Sequence, residues 1–278
     1  MPELNSLPTW FRPAASATGL LLLWMLESLA GIPRRDRRVS RLRHAARNLS
    51  LAALNGVLLA VTGAVTTAAV LEWTADRQLG LLYWLPAVVG LRSAAALLLL
   101  DLWSWFWHWA CHRSAFLWRF HRVHHSDPDM DVTTAFRFHP GELFCSSLAR
   151  VPVICVLGVS ATELLFYEAV LLASVQFHHS ALAGGFWDER LRRLIVTPAM
   201  HRIHHARERQ LTNSNYASLL SCWDRFFGTW QPPMEASGGR EDAIPSCGLA
   251  GTDGETWQSI AGMTVSPLRG DPVMGESG

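Results

Sequence analysis

The residues best suited to chemistry in this chain are histidines in three tight groups: HWACH (His108, His112), HRVHH (His121, His124, His125) and HRIHH (His201, His204, His205). On a helix, positions i, i+3 and i+4 share a face, so each group can aim its imidazoles at one point. Neutral imidazole is the commonest protein ligand for transition metals, and Fe, Zn, Cu and Ni all accept it. Eight imidazoles exceed the about four to six donors that one first-row ion takes. They suit two ions a few ångströms apart, each HRxHH supplying part of one dinuclear site. The boxes contain no Asp or Glu and pair no Cys with their histidines as a ligand set, which disfavours soft-metal and hard Mg or Ca sites.

The segments HWACHR, FLWRFHRVHHSDPDMDVTTAFRFHPGE, QFHHS, VTPAMHRIHHARERQLTNSNY and WDRFFGTW resemble the fatty acid hydroxylase / sterol desaturase superfamily over roughly residues 40–230. The resemblance implies an integral-membrane enzyme with a non-haem di-iron centre. Such a centre uses O2 and two electrons to hydroxylate or desaturate a lipid C–H bond, with the electrons delivered by a ferredoxin- or cytochrome-type donor. It carries the ligand role to His108, His112, His121, His124, His125, His201, His204 and His205, and adds His179 from Phe177-His178-His179-Ser180. The family often has Asn two positions after that histidine, where this chain has Ala181. His178 is expected to support the ligands or join them. His139, in RFHPGE, is a ligand or a hydrogen-bonding support, and Glu142 either orients an imidazole or offsets a helix dipole. Asn213, Asn215, Tyr216 and Asp224 are expected to fix loops around the ligands. Asp127, Asp129 and Asp131 read as turn and cap residues. Since the metal carries the hard chemistry, no conventional general acid, base or nucleophile is expected.

These ligands must be positioned by helices, and the expected fold is all-α: an integral-membrane bundle with a cytoplasmic histidine-rich helical cap. Apolar runs at 16–32, 49–71 and 79–100 occupy residues 1–100; the first is short for a span, and the other two reach the about 20 residues a crossing needs. Between the first two, seven arginines from Arg34 to Arg47 mark a cytoplasmic loop. The third run continues without Gly or Pro into LWSWFWHWACHR, so Trp103, Trp105, Trp107 and Trp109 are expected at headgroup level as an aromatic belt, with His108 and His112 just above. Within the catalytic region 101–230, residues 143–177 break at Gly158, and Ser160 with Glu163 has the form of a capping box. That pattern predicts a helical hairpin that dips in and returns. Residues 231–278 are rich in Gly, Pro, Ser and acidic residues, and read as a surface-draped or disordered tail.

Half the 278 residues are apolar, 17% are charged and the formal net charge is +1, a balance that fits a membrane and gives no field to draw nucleic acid. All 24 basic residues are Arg, a bias of high-GC bacteria, so the expected setting is a bacterial inner membrane with the site on its cytoplasmic face. The five cysteines show no paired spacing, and the early acidic residue argues against a cleaved signal peptide. Arg119, Arg122, Arg202, Arg207 and Arg209 beside the boxes are expected to meet anionic lipid headgroups or an acidic electron donor. Other classes remain open at this level: a membrane zinc hydrolase, which would use fewer histidines and a carboxylate base, and a metal or haem carrier, whose ligands would sit inside the spans.

Overall fold

A computed structural model of the chain describes residues 11–30, 40–62, 64–86, 88, 90–182, 184, 186–233 and 245–270. Among these residues the architecture is all-helical, and β-pairing is limited to isolated bridges at Ile195–Leu220 and Ala206–Cys247. The long elements are α1 (Phe11–Leu29), α2 (Arg41–Thr62), α3 (Ala64–Asp76), α4 (Leu91–Arg113), α5 (Ala115–His125), α6 (Pro140–Leu157) and α7 (Ala161–His179). Shorter ones follow: α8 (Phe186–Leu191), α9 (Pro198–His204), α10 (Arg209–Thr212), α11 (Cys222–Phe226), α12 (Glu255–Gln258) and α13 (Ile260–Val265).

The hairpin break falls where the sequence puts it. Gly158 ends α6 in the left-handed region at φ 68, and Ser160 opens α7 with a reciprocal capping box to Glu163, so two helix ends are satisfied within three residues. Arg92, in the first turn of α4, donates to the Glu163 carboxylate at 2.9 Å and the Gly158 carbonyl at 2.7 Å. Gly80 lies against the same turn at φ 119, where a Cβ would stand 2.3 Å from the Gly158 nitrogen. From this end α4 and α7 both run toward the histidines, while α6 runs away from them. Leu82, Ala96, Leu100, Ile154, Leu157, Val159, Leu164 and Tyr167 form the apolar core between these helices.

The N-terminal apolar runs are cut differently from their hydropathy. The run 49–71 is helical at every described position, and α2 starts eight residues earlier, carrying Arg41, His44 and Asn48 at the histidine end. The run 79–100 is helical in α4 only from Leu91: residues 81–84 form one 3-10 turn, Pro86 cannot sit in a helix interior, and Gly90 at φ 81 starts α4 afresh. One described helix, α6, is long and apolar enough to cross a membrane, with Pro13–Leu29 a shorter apolar helix. Arg34, Arg35, Arg37 and Arg38 of the arginine-rich loop lie outside the described residues.

Trp105 departs from the aromatic-belt expectation. It is 5% exposed, donates its indole N–H to Asp224 at 3.0 Å and stacks on Phe227 with centroids 4.1 Å apart. The described part of the tail drapes over the surface, one of the two expectations for it: Glu255 and Thr256 are exposed, while Gln258 and Ser266 are buried against protein. Residues 245–270 lie over the histidine boxes, with Cys247, Leu249 and Met263 buried. Gln258 donates to the Ser126 carbonyl at 2.7 Å and accepts from Arg137 at 2.8 Å.

Candidate metal centre

Nine histidines converge at the end of the bundle shared by α4, α5, α7 and α9, and they divide into two groups. His108, His112, His121, His125 and His204 form one, and His124, His179, His201 and His205 the other; within each, the ligand nitrogens all lie within 4.8 Å of one another. In the first group the Nε2 atoms of His108 and His121 are 3.1 Å apart, His204 and His108 2.9 Å, and His125 and His121 3.2 Å. In the second, His124 and His179 are 3.0 Å apart, His201 and His179 3.1 Å, and His205 and His201 3.2 Å.

These spacings carry geometric information. Two imidazole nitrogens bound at about 2.1 Å stand about 3.0 Å apart at right angles and about 3.4 Å apart at the tetrahedral angle. The closest pairs, at 2.9–3.2 Å, and the 4.8 Å limit on every pair in a group make each group compact enough for its nitrogens to meet on one ion. The donor sets consequently suit two first-row transition metals.

The repeated pentapeptide exchanges its members between the groups. In HRVHH the i and i+4 residues, His121 and His125, enter the first group and His124 the second; in HRIHH, His201 and His205 enter the second and His204 the first. A helix turns 100° per residue, so the i+3 ring leans away from the i, i+4 pair and reaches the neighbouring site. Two such helices facing each other build two sites, with the His125 and His205 rings stacked between them at 4.4 Å.

Burial keeps the rings neutral and ready to bind. Desolvation, reinforced by neighbouring imidazoles, holds His108, His112, His124, His125, His201 and His205 well below the ordinary range. Burial takes His179 down to about 4 and His204 to about 3, against backbone acceptors that favour the charged form. Several Nδ1–H groups are spent on protein acceptors, which fixes the tautomer and turns Nε2 inward. His108 donates to the Tyr216 carbonyl at 2.8 Å, His204 to the Ser214 carbonyl at 2.6 Å, His179 to the Val175 carbonyl at 2.7 Å and His121 to Glu142 at 2.8 Å. His112 is hydrogen-bonded to the Asn213 side chain. The Nδ1 atoms of His124, His125, His201 and His205 are buried without an acceptor among the described residues.

The C-terminal motifs supply these supports. Asn215 adopts φ 51, in the left-handed region that Asn tolerates, so that Ser214 and Tyr216 on either side both present carbonyls to histidines. Its side chain pins the bend by donating to the Met200 and Gln231 carbonyls. Asp224 holds the same loop by accepting from the Tyr216 and Ala217 amides and from Thr229 and Trp105.

Other candidates fall elsewhere. His139 is outside both groups: it caps α6, accepting from the Gly141 amide on Nδ1 and donating from Nε2 to the Thr264 carbonyl at 3.0 Å. Both nitrogens are thereby used. His178 is also outside, its ring 4.0 Å from that of His201. Glu142 braces His121, and with Cys111 the pair forms a further small cluster. Ala181 donates its amide to Glu27 at 2.7 Å, tying α1 to the end of α7. Asp127 is not a turn residue alone. It is buried against His44 at 2.8 Å and accepts from Thr134; burial would lower His44, but Asp127 and Asp131 push it up to about 10.

Arg122 and Arg207 turn away from the histidine clusters into the tail, and no composition signal announces this. Arg122 is buried and donates to Ser266, to the Arg269 carbonyl at 2.9 Å and to the Gly270 carbonyl at 3.0 Å. Arg207 donates to the Cys247 carbonyl at 3.0 Å and to Asp253. The tail thus straps both boxes, and Arg119 and Arg209 are exposed.

Comparison with known proteins agrees with this geometry. The fatty acid hydroxylase family model matches residues 93–229, a stretch that contains all nine grouped histidines. Alkylglycerol monooxygenase of Danio rerio is 31% identical over 148 residues, 50% of this chain and 30% of the relative. The Homo sapiens alkylglycerol monooxygenase is 28% identical over 149 residues, 51% of this chain and 31% of the relative. Ornithine lipid hydroxylase OlsE of Rhizobium tropici is 30% identical over 145 residues, 51% of this chain and 42% of the relative. The chain therefore spans less than half the length of these relatives. No solved structure matches.

Proposed function

The chain belongs to the fatty acid hydroxylase superfamily by residues 93–229, and on that footing we propose that it is a membrane-bound, non-haem di-iron oxygenase that hydroxylates a lipid. The observation that carries this is the pair of buried histidine groups, each with its ligand nitrogens within 4.8 Å of one another. His108, His112, His121, His125 and His204 would hold one iron, and His124, His179, His201 and His205 the other. When bound, such a centre supplies the power to activate O2 and cleave an aliphatic C–H bond.

The chain's own residues do the rest. Burial keeps the imidazoles deprotonated, Glu142 and the 214–216 carbonyls fix their orientation, and the tail with Arg122 and Arg207 excludes water from the side away from the bundle. The relatives act on alkylglycerols and ornithine lipids by their names, which favours hydroxylation over desaturation and a polar-headed lipid among the sterol, fatty acyl and ether candidates. The two electrons would come from a ferredoxin- or cytochrome-type donor meeting the exposed Arg119 and Arg209.

A membrane setting is supported by the outer faces. Only 17% of the apolar α6 window is buried, and Phe144, Leu148 and Val156 on α6, Leu21, Leu22 and Met25 on α1, and Leu54, Val57 and Leu58 on α2 are exposed. In water each such side chain would forgo about 1.5–3 kcal/mol of burial, whereas hydrocarbon covers it. With the arginine-bearing start of α2 at the histidine end, the site would face the cytoplasm of a bacterial inner membrane.

The test is lipid mass spectrometry of cells with and without the chain under heavy-isotope O2, together with metal analysis of the purified protein. About two iron ions per chain and a lipid carrying one heavy oxygen are expected. Protein without transition metal, or an unchanged lipid profile, overturns the proposal.

A further inference from the structure

The function above leaves the run LWSWFWHW, residues 102–109, without an account. A belt at the headgroups does not explain Trp105, which is buried. Followed outward from the metal centre, the aromatic rings form a connected series. The ring of Tyr216, fully buried, lies 5.1 Å from that of His112, 5.7 Å from His204 and 5.8 Å from His108. Trp105 stands edge-on to Tyr216 at 6.3 Å and stacks on Trp109 at 6.3 Å. Phe106 links Trp109 to Trp103 at 5.7 and 5.6 Å, and Trp103 meets Trp107 at 6.2 Å. Trp103, Trp107 and Trp109 are half-buried, so the series runs from the centre to the outside of α4.

Indole and phenol are the side chains most readily oxidised by one electron, and they yield that electron only to a strong oxidant. Such a series is silent toward low-potential electrons from a donor, yet it responds when a strongly oxidising metal centre has no C–H bond to attack. The indole N–H of Trp105 also has a proton acceptor in place, Asp224 Oδ1 at 3.0 Å. We propose that Tyr216, Trp105, Trp109 and Trp103 are an escape path for oxidising equivalents, which spares the ligand histidines when O2 is activated without lipid in the site.

This rests on the oxygenase reading. Trp105 loses one electron, across the Tyr216 ring, to the oxidised iron centre, which is reduced by one; the Trp105 N–H bond breaks and its proton goes to Asp224. Trp109 or Trp103 then returns an electron to Trp105, which takes its proton back from Asp224. The outer indole loses its own N–H proton to solvent and regains an electron and a proton from a soluble reductant such as ascorbate or a thiol. The path touches His108, His112 and His204, all of the first group. His124 of the second group stacks instead on Phe138, at 4.5 Å and 10°, a ring far harder to oxidise.

The experiment uses the full iron-loaded chain in detergent with O2 and reductant but no lipid substrate, comparing wild type with Trp105→Phe and Trp109→Phe. Wild type should give an organic-radical EPR signal that narrows on indole deuteration, and peptide mass spectrometry should find added oxygen at Trp103, Trp105 or Trp109. In Trp105→Phe the signal should fall, iron should be lost several-fold faster, and added oxygen should move to His108, His112 and His204. Trp109→Phe should shift the same way by less. If wild type binds iron and takes up O2 but both variants match it in radical yield and histidine oxidation, the escape path is wrong and the oxygenase reading stands. A chain that binds no iron or consumes no O2 sinks both. Should Trp105→Phe fail to hold iron for want of its Asp224 bond, Trp109→Phe decides alone.

Discussion

The two halves of the histidine cluster are built from the same pentapeptide yet are not equally supported. The first half has five imidazoles, and His108, His121 and His204 are braced by the Tyr216 carbonyl, Glu142 and the Ser214 carbonyl. The second has four, of which, among the described residues, His179 alone has an Nδ1 acceptor, while His124, His201 and His205 have none. A braced ring holds its tautomer and direction before any metal arrives. The difference therefore implies that the first half is preorganised and the second is the adaptable one, with fewer protein donors and room for an outside ligand.

The largest test of that contrast is ligand removal. His205→Ala leaves the second half with three imidazoles and should abolish its metal and all product, whereas His112→Ala leaves four in the first and should retain metal. Metal analysis of both variants checks this, and the reverse pattern would break the comparison. Next, Glu142→Ala should weaken metal binding in the first half by about 10–100-fold and leave the second unchanged, read by titrating the metal-free chain. Stepwise chelation of the wild type should strip the second half first; simultaneous loss would mean that bracing does not set retention.

Smaller effects come from features that both halves share. Arg122→Ala removes charge-assisted hydrogen bonds to the tail and should cost about 2–3 kcal/mol, seen as a lower Tm and equal loosening of both halves. The pH response sharpens this in the metal-free chain. Ligand imidazoles whose folded pKa is depressed contribute stability that is full above the unfolded value of about 6.5 and is lost as pH falls. That loss runs toward about 4 at His179 and about 3 at His204. His44 has the opposite sign: raised to about 10, its contribution is full below about 6.5 and fades as pH climbs. Tm should accordingly peak near neutrality, and His44→Gln should flatten only the alkaline side.

Much of the site is legible in the chain. Spacing of i, i+3 and i+4 marks His121, His124 and His125 as one face, and Ser160 with Glu163 announces a helix start, because both follow from local backbone geometry. Hydropathy reads less well. It carries a single helix through 79–100, since a window average does not register Pro86 or the left-handed Gly90. Composition marks the tail as surface-draped but does not show that its Ser266 and Gln258 bind Arg122, Arg137 and Ser126.

By itself the sequence determined which side chains could ligate, that helices carry them, and where α6 turns into α7, all matters of spacing within a few residues. Only the tertiary structure decided that each pentapeptide divides its histidines between two clusters, that His139 is spent as a cap, and that Arg122 faces the tail. Those outcomes depend on which distant surfaces meet: the direction of a ring is local, but its partner is chosen by the packing of the whole bundle, as Thr264 is for His139, 125 residues away.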